Sequence, residues 1–148
     1  KGATMLMIGA ILMFICHMTF ALVPLTPAIA FSAIILLGLS FSLVPAALWP
    51  SVPKLVDNRY MGSAYATIFW IQNLGLMAFP MIIGWVLNKV NPGVGEAIKA
   101  GEHVSYNYTV PMLIFASLGV FALFLGLWLK AEDKKKGYGL ELPNIKKD

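Results

Sequence analysis

The sequence predicts an all-α membrane protein with four transmembrane helices, and three observations carry that prediction. The first is composition: 59% of the 148 residues are hydrophobic and only 12% are charged, with a mean hydropathy of +0.77. Soluble domains carry about 25% charged residues, so this chain suits a lipid bilayer as its solvent. The second is segregation of charge. No Asp, Glu, Lys or Arg lies between Lys1 and Lys54, between Arg59 and Lys89, or between Glu102 and Lys130. One span takes about 20 apolar residues rising about 1.5 Å each, so each later gap holds one helix and the first holds two. The third is Val23-Pro24-Leu25-Thr26-Pro27, whose closely spaced prolines stop a helix and divide the first gap. The expected spans are residues 3–22, 28–53, 61–88 and 109–129, within a transmembrane segment 1–130 followed by a polar tail 131–148.

With an even number of spans both termini share one side. That side holds Lys1, Lys54, Arg59, Lys130, Lys134, Lys135, Lys136, Lys146 and Lys147, against Lys89 and Lys99 on the other. The positive-inside rule then makes both termini and the tail cytoplasmic. The net charge of +4 is a topology signal and needs no nucleic-acid partner. Cys16 is the single cysteine, which excludes an internal disulfide or a CxxC redox site. Because the chain starts at Lys1 instead of Met, upstream chain is expected to be missing or removed, and residues 3–22 do not read as a signal peptide.

Taken in order, the first helix is apolar all round and suits contact with lipid over much of its surface. His17 is its exception; no acidic residue in any span orients it, so it reads as a neutral, hydrogen-bonded structural histidine, with a proton-linked role as the alternative. The second helix places Gly38, Ser42, Pro45 and Trp49 on one face by helical spacing. Pro45 and Pro53 cannot donate to the carbonyls of Phe41 and Trp49, so a bend is expected there. Trp49 reads equally as a substrate wall or as an interfacial anchor. The loop 54–60 ties the second and third helices together. In the third helix Gly62, Ala66, Asn73, Pro80 and Gly84 share a stripe, and small residues such as Gly62 and Ala66 let a neighbouring backbone approach. Phe69 sits beside the adjacent amides Gln72 and Asn73. Buried amides must be satisfied, and two together exceed what helix association needs, which points to a polar substrate or a gate. Residues 91–108 form the one sizeable outer loop. The sequon at Asn107 abuts the last helix and reads as chance. The last helix carries no polar group beyond Ser117 and looks like scaffold; the tail beyond Lys130 is expected to be disordered.

Ala47-Leu48-Trp49-Pro50, Gly62-Ser63-Ala64-Tyr65 and Ile71-Gln72-Asn73-Leu74-Gly75 resemble the last helices of the major facilitator superfamily, and within it the branch of dipeptide transporters and their bacterial relatives. The resemblance covers roughly residues 43–88. It departs at Ala66, where a glycine commonly follows the tyrosine, and at Asn88, where an acidic helix end is common. It implies that the four helices are numbers nine to twelve of a twelve-helix fold. The tenth would line the central cavity, the eleventh would form a gate wall, and the outer two would support them. The expected substrate pathway is Ser42, Trp49, Tyr65, Phe69, Gln72 and Asn73, with no catalytic or metal-binding residue and no cofactor.

The function expected is a fragment of a secondary active or facilitative transporter that moves a small polar solute, such as a dipeptide, by alternating access. A complete four-helix subunit with a structural role is the alternative. A membrane-embedded enzyme is a weaker one, because the spans offer one Cys, one His and no acid. The expected partners are a small-molecule substrate, the bilayer and the upstream helices. The expected location is a bacterial inner membrane, or a lysosomal membrane if the chain is eukaryotic.

Overall fold

A computed structural model describes residues 1–143 of the chain. The regular structure among them is helical: α1 (Gly2–Leu22), α2 (Pro27–Leu55), a 3-10 turn (Asn58–Tyr60), α3 (Met61–Val90), the short α4 (Val94–Lys99) and α5 (Thr109–Lys136). The protein is an all-α membrane protein, and α1, α2, α3 and α5 are each long and apolar enough to cross a bilayer. The break between α1 and α2 falls at the proline pair. Thr26 caps α2 by accepting from the Ile29 amide at 3.3 Å, with Pro27 at the first helical position, where its missing N–H costs nothing.

The core lies along α1, which packs against both α2 and α5. Small residues set that packing. A Cβ added at Gly119 of α5 would lie 3.2 Å from the Phe14 backbone nitrogen, so the two backbones nearly touch there. The Ser40 hydroxyl of α2 donates to the Gly9 carbonyl of α1 at 2.7 Å, in a buried position. The lipid face expected over much of α1 is therefore narrowed to a stripe that includes Met5, Ile8 and Ile15. The reason is physical: lipid and helix neighbours are equally apolar, and only small residues mark where backbones meet.

In contrast, α3 buries none of its residues. It meets α2 and α5 at a few points only. The close neighbour expected at Gly62 is absent among the described residues: a Cβ there would find nothing within 4 Å.

Two further expectations change. The outer loop contains the helix α4, and its ends are pinned by Asn91. That side chain donates to the carbonyls of Leu87 at 2.8 Å and Asn107 at 3.1 Å, and accepts from the Asn107 amide at 2.7 Å. The tail beyond Lys130 is ordered through Pro143, not disordered. α5 continues to Lys136, Gly137 ends it at φ 70°, and Leu140 is buried at 1% exposure. One buried leucine among polar neighbours is invisible to composition yet enough to seat a turn. The expected tail residues 144–148, with Lys146 and Lys147, lie outside the described residues.

Candidate functional site

The sequence-predicted pathway falls on the C-terminal half of α2 and the facing N-terminal half of α3. Trp49 is half-buried on α2, and Tyr65 and Phe69 stand one turn apart on α3, so both rings meet the same indole. The ring centroids lie 5.7 Å from Trp49 to Tyr65 and 5.1 Å from Trp49 to Phe69, both tilted. Tilted aromatic pairs at such distances contribute about 0.5–1.5 kcal/mol beyond their buried area.

A backbone defect completes this bridge. Pro53 has no N–H to give to the Trp49 carbonyl, and the Tyr65 hydroxyl donates to that oxygen instead, at 3.4 Å. The proline that frees the acceptor and the tyrosine that takes it up sit on different helices. Together they make the contact that holds α3 against α2 at this level.

The remaining candidates do not join the cluster. The Ser42 hydroxyl closes on its own helix, donating to Gly38 O at 2.9 Å. Asn73 donates from Nδ2 to Phe69 O at 2.8 Å, also within its helix, and is exposed. Gln72 is exposed and makes no hydrogen bond among the described residues. An amide free of protein partners on an apolar helix is a costly group in lipid.

A cavity of about 470 Å³ opens between α2 and α3, with Leu6 of α1 and Leu129 of α5 also on its wall, and is lined by residues such as Leu48, Val52, Ser63 and Thr67. None of the six candidates lines it. The hydroxyls of Ser51 and Thr67 on its wall are spent on Ala47 O at 2.6 Å and Ser63 O at 2.9 Å within their own helices. The wall is thus close to wholly apolar, unlike a site for a polar solute. Sequence reasoning missed this space. The run Gly62-Ser63-Ala64 marked it, because small side chains leave room as readily as they admit a neighbour.

Away from the cluster, His17 Nδ1 donates to Met13 O at 2.7 Å and its ring lies 5.3 Å from that of Phe115. Cys16 beside it is buried. Among the described residues no group of three His, Cys, Asp or Glu side chains converges to hold a metal ion.

Comparison with known proteins identifies relatives. The lysosomal dipeptide transporter MFSD1 of Homo sapiens is 41% identical over 75 residues, 51% of this chain and 16% of that protein. The protein of the same name from Danio rerio is 39% identical over 88 residues, 60% of this chain and 18% of its own length. That from Bos taurus is 46% identical over 56 residues, 38% of this chain and 12% of its length. No family model and no solved structure matches. The chain spans less than a fifth of the length of the curated relatives it matches. Over that stretch it is similar to the lysosomal dipeptide transporters MFSD1, which are members of the major facilitator superfamily.

Proposed function

We propose that this chain is the last four helices, numbers nine to twelve, of a secondary transporter that moves a small polar solute of the dipeptide class by alternating access. The observation that carries the reading is α3. It presents an aromatic bridge to Trp49 and, one turn on, the exposed amides Gln72 and Asn73, while burying none of its own residues. A helix that leaves its polar sector open suits a wall shared with helices not present in this segment. Similarity to dipeptide transporters supports the solute class. Gln and Asn side chains match peptide amide groups, and Trp49 and Phe69 offer surfaces for side chains of the solute.

In this reading Trp49, Tyr65 and Phe69 shape the pathway, Gln72 and Asn73 contact solute, and Ser42 lies on the same wall. Both termini are cytoplasmic, in a bacterial inner membrane or, for a eukaryotic chain, a lysosomal one. The protein is a transporter and not an enzyme. A self-sufficient four-helix subunit is not favoured, because four helices that closed on themselves would bury part of α3.

The test is dipeptide uptake by the intact protein. Gln72→Ala and Asn73→Ala should weaken apparent solute affinity by about threefold to tenfold, the net worth of one hydrogen bond of about 0.5–1.5 kcal/mol. Thermal stability should hold. Lost stability with unchanged affinity in both variants would reduce these residues to helix packing.

A further inference from the structure

The turn beyond α5 makes contacts that the transport reading does not use. Hydrogen bonds from three helices converge on it. From α1, the Gly2 amide donates to Leu140 O at 2.9 Å. The Thr4 amide donates to Glu141 Oε1 at 2.9 Å, and the Thr4 hydroxyl donates to Glu141 Oε2 at 3.0 Å. From α2, the Lys54 ammonium donates to Gly139 O at 2.9 Å and Leu142 O at 2.7 Å. From α5, buried Asp133 accepts from the Leu140 amide at 3.0 Å, and Lys130 donates to the Thr4 hydroxyl at 3.0 Å.

Glu141 holds the amide and the hydroxyl of Thr4 with its two carboxylate oxygens, a charge-assisted pair of bonds. The last turn of α2 has carbonyls that favour a cation, and Lys54 is the basic residue there. It spends its donors on the turn. Leu140, at 1% exposure, plugs the space between. α3 contributes no hydrogen bond to this assembly among the described residues.

We propose that residues 137–143 form a clamp that locks the near ends of α1, α2 and α5 into one rigid body. The clamp stands apart from the transport reading.

Hydrogen exchange on the intact protein in lipid nanodiscs tests the clamp without any transport assay. Two variants break it from opposite sides: Glu141→Ala on the α1 side and Lys54→Met on the α2 side. If the turn acts as a unit, each variant loosens an anchor that its own side chain does not make: Lys54→Met the Thr4–Glu141 bond, and Glu141→Ala the Leu140–Asp133 bond. Lys54→Met should quicken exchange at the Thr4 amide, and Glu141→Ala at the Leu140 amide, each by about tenfold, as expected for losing a charge-assisted hydrogen bond. Exchange along α3 from Ser63 to Val90 should stay unchanged in both. Unchanged exchange at the Thr4 amide in Lys54→Met and at the Leu140 amide in Glu141→Ala would overturn the clamp and leave independent contacts. Quickening of α3 in step with α1 would overturn the restriction of the clamp to α1, α2 and α5.

Discussion

The Tyr65 hydroxyl and the Trp49 carbonyl show how a residue-level rule reaches across two helices. Counting back four from Pro53 names the oxygen that loses its donor, and this much is legible in the sequence. The group that takes the oxygen up is not, because it depends on how α3 is rotated against α2. Tyr65→Phe keeps the ring stacking and removes the donor. It should cost about 0.5 kcal/mol, the low end for a net hydrogen bond given the 3.4 Å separation, read as a small drop in melting temperature. Trp49→Ala removes both aromatic contacts and should cost more, about 1–3 kcal/mol for two pairs at about 0.5–1.5 kcal/mol each. Equal losses in the two variants would mean that the two ring contacts together contribute no more than the one hydroxyl bond. His17 is the second residue where reading and geometry meet. Its bond to Met13 O and its contact with Phe115 need no proton transfer. His17→Gln should leave the pH profile of uptake unchanged, and a shifted profile would make this histidine a proton carrier.

At the scale of the element, the helix positions were readable and their faces were not. Charge gaps and the proline pair place all four spans within a turn or two of α1, α2, α3 and the apolar part of α5, because the bilayer imposes length and exclusion of charge on every span. Which side of a span meets lipid leaves no such trace. α1 looked uniform, yet Gly9 and Ala10 face inward and Met5 and Ile8 do not. Glycines separate the two cases experimentally. At Gly119 a new Cβ would meet the Phe14 backbone at 3.2–3.3 Å, which no rotamer change relieves. Gly119→Ala should therefore lower stability by about 1–3 kcal/mol, the usual cost of overpacking. At Gly38 nothing lies within 4 Å, and Gly38→Ala should be neutral or mildly stabilising through helix propensity. Thermal denaturation in detergent reads both, and a destabilised Gly38→Ala would reveal a neighbour outside the described residues.

For the molecule as a whole, two arguments about sidedness are independent. An even number of spans puts both termini on one side, and the turn after α5 brings the start of α1, the end of α2 and the end of α5 to one end of the bundle. Single cysteines at exposed His103 and Lys135 should label from opposite faces of the membrane, and labelling from one face would sink the four-span topology. The candidate site is less legible than the fold because its polar groups find few partners among the described residues. Trp49, Tyr65 and Phe69 meet, but the small stripe of α3 and its amides face nothing among the described residues. That openness supplies the sharpest test of the fragment reading. A methyl group added at Gly62 would find no atom within 4 Å, so within these four helices Gly62→Leu should be harmless. If upstream helices of the same chain pack on α3, the same change meets their backbones, because small residues on an apolar helix mark close approach. The intact protein carrying Gly62→Leu should then lose about 1–3 kcal/mol by overpacking, while Ile71→Leu, at an exposed position on the opposite face of α3 and nearly volume-conserving, should cost little. Intact stability in Gly62→Leu would mean that α3 faces lipid along this stripe, and that the solute pathway must be sought on its other side.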